Sequence, residues 1–340
     1  MTSRELFINT IEGRPVTRAP FWIMRQAGRY LPEYRALKEK HNFLEIVKTP
    51  ELALEATLQP IRRFDFDCAI VFSDILVVAE ALGFKYNFKD TGGIELEHTI
   101  KSVNDIRKLP PQSIIREKLS YVKDALLLIR NELPNKAVLG FSASPFTLAS
   151  YMIEGGSSKN FQKFHDFFTN EQYAFEMLLA KLALAISEYA QMQVECGIDG
   201  FQMFDSQASC APFNLYEDLS AISANFAMSK IQGKVKTIFF ANNMQGRFEE
   251  VKKVKADVYS LSSHENLPQT AAENEFCLQG NLLNRILSEA SPKEAEEKTL
   301  SLLNEMKPFR HILNLGHGIL PDAKLENVEA FANAAKNFKK

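Results

Sequence analysis

The sequence predicts an α/β protein: a single-domain TIM (β/α)8 barrel that spans residues 1–340, with its active site at the C-terminal ends of the strands. A length of 340 residues fits one large barrel or two modest domains. No Pro-, Gly- or Ser-rich linker and no internal repeat divides the chain, which favours one domain. Short apolar runs alternate with longer stretches of helical periodicity, as in successive βα units around a parallel sheet.

Eight apolar runs are candidate strands, and eight strands close a TIM barrel. Their continuous apolar character is typical of strands that helices cover on both faces. In chain order they are residues 20–24, 68–75, 137–144, 198–206, 236–242, 257–263, 276–281 and 311–318. Between them, Pro50 marks the first turn of a predicted helix, and the stretch from about Asn160 to Cys196 predicts two packed helices.

Composition excludes several classes of protein. Hydrophobic residues at 46% and charged residues at 24% exclude disordered and fibrous chains. A net charge of −2 argues against nucleic acid or an anionic membrane as a partner of the whole surface. The N-terminal residues lack the apolar stretch of a signal peptide, and no later run approaches a membrane span, so we expect a cytoplasmic protein.

The four cysteines lie far apart in the sequence and form no CxxC pair. This spacing indicates neither a zinc knuckle nor a redox couple, and we expect reduced, mostly buried thiols. They are Cys68, Cys196, Cys210 and Cys277.

Polar residues stand where the candidate strands end, at the face where TIM barrels carry their chemistry. One Ser or Asn there is most simply a strand cap, but two guanidinium groups, a carboxylate, hydroxyls and an imidazole together favour a site for a polyanionic ligand. The absence of a strand-end lysine disfavours Schiff-base aldolases. The strand-end residues are Arg25, Ser73-Asp74, Ser144, Asp205-Ser206, Asn242, Ser262, Gly280-Asn281 and Gly316-His317-Gly318.

The first strand leads into a loop with the sequence IMRQAGRYLPEYR. The spacing of four places Arg25 and Arg29 on one face if this segment turns helically, and a carboxylate-rich ligand between them would offset their repulsion. The alternative is a solvated pair of surface charges. We expect Gly28 to permit an irregular turn, and the glycines beside His317 to let the backbone turn sharply and present the imidazole.

This loop resembles the signature of the uroporphyrinogen decarboxylase family. Five further segments resemble the family's later strands and loops, so the resemblance spans nearly the whole chain: VFSDILVVAEALG, GFSASPFTLASYMIEGG, FQMFDS, LQGNL and NLGHGILP. It implies a barrel enzyme, usually a homodimer, of heme and tetrapyrrole biosynthesis. Such a lyase decarboxylates the four acetate side chains of uroporphyrinogen III to give coproporphyrinogen III and CO2, without a metal or an organic cofactor.

The resemblance also implies roles for individual residues. Arg25 and Arg29 match carboxylate-binding arginines, and Asp74 matches an aspartate that accepts hydrogen bonds from the pyrrole N–H groups. We predict Asp74 and Arg25 as catalytic residues; because arginine is a poor general acid, Arg25 is first a carboxylate ligand and only second a proton donor. No metal ligand is predicted. The implied substrate-binding residues are Arg25, Arg29, Asp74, Tyr151, Ser206 and His317.

The chain departs from the family pattern in loops near the rim. Residues 207–209 read Gln-Ala-Ser where relatives commonly carry Trp or His followed by Ala-Gly, and residues 261–267 lack the Asp-Trp pair of many bacterial members. The segment GNLLNRIL lacks the aspartate often seen after GNL. Residues 322–324 read Asp-Ala-Lys where Thr-Pro is usual. We therefore expect differently shaped loops around a central cleft that is retained.

Two alternative functions remain open, and so do two roles for His317. A zinc- and cobalamin-linked methyltransferase of the same barrel superfamily is one alternative, although the sequence offers no HxC pair near a strand end. A non-catalytic tetrapyrrole-binding protein is the other. His317 could titrate near neutral pH or simply hydrogen-bond a propionate.

Overall fold

The fold is a curled parallel sheet surrounded by helices, seen in a computed structural model that describes residues 1–88 and 93–340. Strands within these ranges are β1 Cys68–Ile70, β2 Tyr86–Phe88, β3 Ile94–Leu96, β4 Ala137–Ala143, β5 Gly200–Asp205, β6 Lys236–Ala241, β7 Val258–Ser260, β8 Cys277–Leu282 and β9 His311–Leu315. Seven of these described strands form one sheet in the order β1-β4-β5-β6-β7-β8-β9, and every neighbouring pair is parallel. Strands β2 and β3 form a separate antiparallel pair.

Helices occupy most of the remaining described chain and follow the strands in βα order. They are α1 Ser3–Ile11, α2 Pro32–Lys40, α3 Phe43–Lys48, α4 Pro50–Phe64, α5 Val77–Ala81, α6 Val103–Arg107, α7 Ile114–Lys118, α8 Ser120–Glu132, α9 Pro145–Glu154, α10 Gln162–Asn170, α11 Gln172–Glu195, α12 Ile222–Met228, α13 Phe248–Val251, α14 Leu267–Glu273, α15 Ile286–Glu289, α16 Pro292–Glu305 and α17 Leu325–Asn337. A 3₁₀ turn at Ala208–Cys210 and a π-helical turn at Glu217–Ala221 follow β5.

The first candidate strand, residues 20–24, differs from the prediction because it forms a single bridge rather than a strand. Phe21 pairs in parallel with Leu313 of β9, and its carbonyl accepts a hydrogen bond of 2.9 Å from the Asp67 N–H just before β1. Pro20 has no N–H to donate, and Arg25 leaves the extended region with φ 64°, so pairing stops within a few residues. The segment nevertheless lies between the two edge strands of the sheet.

Each of the other seven candidate strands overlaps an observed strand, and the TIM-barrel fold class is confirmed. Several observed strands are shorter than predicted, because the polar residues at their C-terminal ends already belong to the following loops. Thus 68–75 contains β1, which ends at Ile70, and 311–318 contains β9, which ends at Leu315.

Both helix predictions are confirmed. Pro50 is the first residue of α4, where its missing N–H costs no helical hydrogen bond. Helices α10 and α11 cover the stretch from Asn160 to Cys196, and they pack through the rings of Phe164, Phe168 and Phe175, whose centroids lie 5.4–5.8 Å apart.

The cysteine prediction also holds. All four are free thiols; three are buried and Cys210 is half-buried. No helix among the described residues is long and apolar enough to cross a membrane.

Candidate active site

The loop after residues 20–24 places Arg25 at the C-terminal mouth of the barrel. Arg25 adopts φ 64°, a left-handed conformation that costs a non-glycine residue on the order of 1–3 kcal/mol. Its side chain lies across Gly318, where an added Cβ would stand 2.4 Å from Arg25 Cδ. The strained residue of this loop is therefore Arg25, which must reach the mouth, and not Gly28, whose φ is not positive.

The glycines beside His317 lie at a bend in the backbone, where they are needed for space rather than for a left-handed conformation. Neither has a positive φ. A Cβ on Gly316 would stand 2.1 Å from the Ser263 N, and one on Gly318 would collide with Arg25. The expected change of backbone direction is present as a bend at residues 316–317, but close packing against the neighbouring loops, not a positive φ, explains the glycines.

The segment from Arg25 to Arg29 is a series of turns, so the helical condition for pairing the two arginines is not met. Gln26 fixes the loop to the sheet, since its Nε2 donates to the Cys68 carbonyl at 3.1 Å and its own carbonyl accepts from Tyr30 Oη at 2.7 Å. Arg29 is exposed at the rim, and its charge lowers the pKa of Tyr34, which burial raises more strongly.

Asp74 lies after β1, half-buried, with one carboxylate oxygen accepting a hydrogen bond of 2.8 Å from the Leu76 N–H. Burial raises the pKa of Asp74 to about 6, while that hydrogen bond, the Arg25 charge and the Tyr86 hydroxyl act in the opposite direction. The desolvation of the Asp74 carboxylate is therefore only partly compensated, as expected for a carboxylate that binds a cation or an N–H donor of a ligand.

His317 and Tyr151 lie half-buried near Arg25. Burial lowers the pKa of His317 to about 4, and the Arg25 charge lowers it further. The imidazole of the ligand-free site is thus neutral near pH 7, which favours its role as a hydrogen-bonding group over that of a group that titrates there. Burial raises the pKa of Tyr151 and the Asp74 charge raises it further, whereas the Gln207 side chain and the Arg25 charge lower it.

Arg25 is the common neighbour of this group, because its charge acts on Asp74, Tyr151 and His317. The structure thus brings these four predicted residues together. Ser206 follows β5 at the same end of the barrel, with its carbonyl 3.3 Å from Asn242 Nδ2.

Several other polar strand ends hold loops in place, as the capping interpretation expects. Ser144 Oγ caps α9 by accepting from the Thr147 N–H at 3.0 Å. Asn281 Nδ2 donates to the carbonyls of Ser262 and Glu265, at 2.9 Å each.

Two residues near the mouth escaped the sequence analysis as site residues. Tyr86, on β2, packs near Asp74 although it is remote in sequence and carries no motif. Gln207 lies beside Tyr151 and was noted only as a departure from the family pattern. Within the described part of the chain, no group of three or more His, Cys, Asp or Glu side chains is placed to hold a metal ion.

Comparison with known proteins agrees with this geometry. A family model described as uroporphyrinogen decarboxylase matches residues 2–338. Proteins named uroporphyrinogen decarboxylase from Chlorobium luteolum and Chlorobaculum parvum are 36% and 38% identical to the chain, each alignment covering 99% of this chain and 98% of the relative. A methyltransferase structure from Methanosarcina mazei has a TM-score of 0.81 at 18% identity, covering 99% of both chains, which shows a shared fold alone. The chain belongs to the uroporphyrinogen decarboxylase family.

Proposed function

We propose that this chain removes CO2 from the four acetate side chains of uroporphyrinogen III at the mouth of the barrel and releases coproporphyrinogen III, without a metal or an organic cofactor. Membership of the family supports the assignment of this reaction. The observation that supports the site is the group formed by Arg25, Asp74, Tyr151 and His317, in which the charge of Arg25 acts on a carboxylate with a raised pKa and on two hydrogen-bonding side chains.

The arginines suit the carboxylates of the substrate. Neither Arg25 nor Arg29 has an ion-pair partner among the described residues, so both guanidinium groups are available to a polyanionic ligand. A guanidinium binds a carboxylate through two parallel hydrogen bonds and stays charged. Tyr151, Ser206 and the neutral His317 add hydrogen bonds to the remaining carboxylates.

Asp74 suits the pyrrole N–H groups. Each carboxylate oxygen can accept more than one hydrogen bond, and only Leu76 N–H donates to Asp74 with normal geometry within the described chain. A cationic ring close to Asp74 would lower its raised pKa and keep it ionised. The carboxylate would in turn stabilise the cation, and the stabilisation would be strong in a partly desolvated cleft.

The substrate can serve as its own electron sink. A proton adds to the pyrrole ring beside the acetate and gives an iminium-like cation. The C–C bond to the carboxylate then breaks, CO2 leaves, and the bonding electrons neutralise the ring. A second proton adds to the exocyclic carbon to give the methyl group, and the ring releases the first, so each cycle consumes one proton. Asp74 stabilises the cation, and Arg25 holds the reacting or a neighbouring carboxylate.

The test is anaerobic incubation with uroporphyrinogen, followed by oxidation and chromatography to count carboxyl groups on the product. We expect the loss of four carboxyl groups, and full activity after exhaustive chelation. Activity that disappears with EDTA and returns with zinc would contradict the cofactor-free reaction and favour the methyltransferase-like alternative. Tight porphyrinogen binding without turnover would favour a carrier.

We also propose that the chain is one domain, acts in the cytoplasm without a nucleic-acid partner, and forms a homodimer. An exposed apolar patch beyond β5 supports the dimer: Phe213, Leu215, Ile222 and Phe226 are 67%, 45%, 58% and 49% exposed. Exposed apolar side chains grouped in this way mark protein interfaces. Light scattering should give twice the monomer mass for the native chain. The mass should fall for the double variant Ile222→Glu/Phe226→Glu and stay unchanged for Tyr173→Glu, an exposed aromatic elsewhere.

A further inference from the structure

Two hydrogen bonds fix the chain immediately before Arg25. The Met24 carbonyl accepts from the Ile319 N–H at 3.0 Å, and the Met24 N–H donates to Asn314 Oδ1 at 3.0 Å. Both backbone polar groups of Met24 are therefore satisfied. Arg25 follows with a left-handed φ of 64°, so this strained conformation begins from a residue that the loop after β9 holds in place.

The peptide group that binds Met24 also supports the Arg25 side chain. It joins Gly318 to Ile319, so its carbonyl oxygen belongs to Gly318 and its N–H to Ile319. A Cβ added to Gly318 would stand 2.4 Å from Arg25 Cδ and 3.0 Å from Arg25 Nε, so the arginine side chain passes directly over the Gly318 Cα. One peptide group therefore contacts the Arg25 side chain and bonds to the backbone just before it, and a shift of that group would shift the guanidinium.

Asn284 holds the same peptide group from its other side. Asn284 Nδ2 donates to the Gly318 carbonyl at 2.9 Å, and the Asn284 carbonyl accepts from the Leu287 N–H at 3.1 Å. Asn284 is half-buried in the loop after β8, within the segment GNLLNRIL that departs from the family pattern. The hydrogen bonds run in series from the Asn284 amide through the peptide group to the Met24 carbonyl, and bonds linked in this way strengthen one another.

We propose that Asn284 is a positioning residue for the decarboxylation: through the Gly318–Ile319 peptide group it holds Arg25 in the orientation that binds a substrate carboxylate. The inference rests on the proposed function for the carboxylate-binding role of Arg25. Asn284 acts through Arg25, so the loss of its amide should matter only where Arg25 is present.

A double-mutant cycle in KM tests the proposal. Asn284→Ala should raise KM about fivefold with kcat nearly unchanged, because one hydrogen bond that orients the guanidinium is lost. In an Arg25→Ala background, the same substitution should change KM by less than about twofold. Where that background has no turnover, the dissociation constant of uroporphyrinogen replaces KM. Additive effects would overturn the proposal, because a purely structural role of Asn284 would not need Arg25.

Asn274→Ala is the matched control. Asn274 is half-buried, like Asn284, and its Nδ2 donates to the Thr270 carbonyl at 3.0 Å. It comes before β8, at the opposite end of the barrel from Asn284. The control should leave KM unchanged. An equal rise of KM in the control would overturn the proposal, because the loss of any such amide contact would then have the same effect.

A second measurement needs no substrate and so separates this inference from the proposed function. The Arg25 charge lowers the pKa of Asp74 against the larger effect of burial. In the ligand-free protein, the pKa of Asp74 is measured from the carboxyl NMR signal that Asp74→Asn removes. Asn284→Ala should raise this pKa, as Arg25→Ala does, because a guanidinium that is no longer held in place stabilises the carboxylate less. Asn274→Ala should leave it unchanged.

The two measurements fail separately. An unchanged or lower Asp74 pKa in the Asn284→Ala variant would overturn the proposal even in an active enzyme. The expected rise of the Asp74 pKa in a chain without decarboxylase activity would support the positioning of Arg25 by Asn284 and reject only the reaction.

Discussion

The two ends of the barrel use the same residue types in opposite ways. At the N-terminal end of the sheet, Asp67 is fully buried and accepts two hydrogen bonds from Arg18, at 2.6 and 2.9 Å, and others from Ser3 and the Phe21 N–H. Asp199 is also buried and accepts from Arg4 at 2.6 Å and Arg130 at 2.7 Å. Both oxygens of each of these two carboxylates already have hydrogen-bond donors.

At the C-terminal end, the residues of the candidate site lack such partners. Arg25 and Arg29 form no ion pair within the described chain, and Asp74 keeps a pKa raised to about 6 because its neighbours do not repay its desolvation. Arg25 in addition holds a left-handed backbone conformation. The comparison indicates that folding alone supplies the charge partners at the N-terminal end, which we call the closed end. At the C-terminal end, the open end, a ligand supplies them.

The largest expected effect is a loss of stability on removal of a charge partner at the closed end. Arg18→Ala leaves the buried Asp67 without its charged partner, which should lower the free energy of unfolding by about 3–5 kcal/mol. Urea titration measures the loss, and kcat and KM of the folded fraction should not change. The matched control is Arg62→Ala, whose exposed ion pair with Glu55 at 2.8 Å should contribute no more than about 1 kcal/mol. A loss no greater than in the control would contradict the contrast between the two ends.

The next effect concerns catalysis at the open end. Asp74→Asn keeps the size and one acceptor oxygen but removes the charge that stabilises a protonated pyrrole, so kcat should fall ~100-fold or more. Asp74→Glu keeps the charge, displaced by about one methylene, and should retain some activity. Product affinity should persist in the Asn variant if the N–H contacts remain. Near-normal turnover of that variant would reduce Asp74 to a docking group.

The same substitution should stabilise the ligand-free fold. The pKa of Asp74 rises from the ordinary value of 3.8 to about 6 on folding. The folded state therefore binds more protons between these values, and stability falls as pH rises from about 4 to 6. Removing the charge should recover at most about 3 kcal/mol at pH 7.5, and nothing at pH 3. Urea titrations of both chains at the two pH values measure this difference; equal stability at pH 7.5 would show that Asp74 is adequately solvated.

Much of the fold was predictable from the sequence, because strands covered on both faces leave continuous apolar runs. The prediction was weakest for residues 20–24. The apolar pattern of this segment matched that of the other candidate strands, but Pro20 and the left-handed Arg25 limit pairing to the bridge at Phe21. Backbone conformation at single residues decides such cases, and hydrophobic periodicity does not record it.

Only the site residues that belong to recognisable motifs were predictable from the sequence. The strand ends and the family resemblance pointed to Arg25, Asp74 and His317, but the resemblance carried no information on charge states. The neutral His317 follows from burial beside Arg25, which is a tertiary effect. Gln207 looked like a mere departure from the family pattern, because its effect on Tyr151 links the loop after β5 to helix α9, which the sequence alone does not show.

The smallest expected effect separates the two arginines of the open end from ordinary surface charges. Arg29 is exposed at the rim, and its backbone carbonyl accepts a hydrogen bond from Arg35 at 2.8 Å. Solvent screening limits the contribution of such a group, so Arg29→Ala should raise KM about tenfold, on the scale of one charge-assisted hydrogen bond, and leave the free energy of unfolding unchanged.

Arg29→Lys should recover only part of the loss, because an ammonium group lacks the planar fork for two-point contact with a carboxylate. Added salt should raise KM of the native chain more than that of the Ala variant. Arg14→Ala removes an arginine that is 65% exposed and paired with Glu12, and it should leave KM unchanged. A Lys variant with native KM would show that Arg29 is only a solvated charge. The polyanion site would then depend on Arg25 alone, the arginine that the fold strains to place at the mouth.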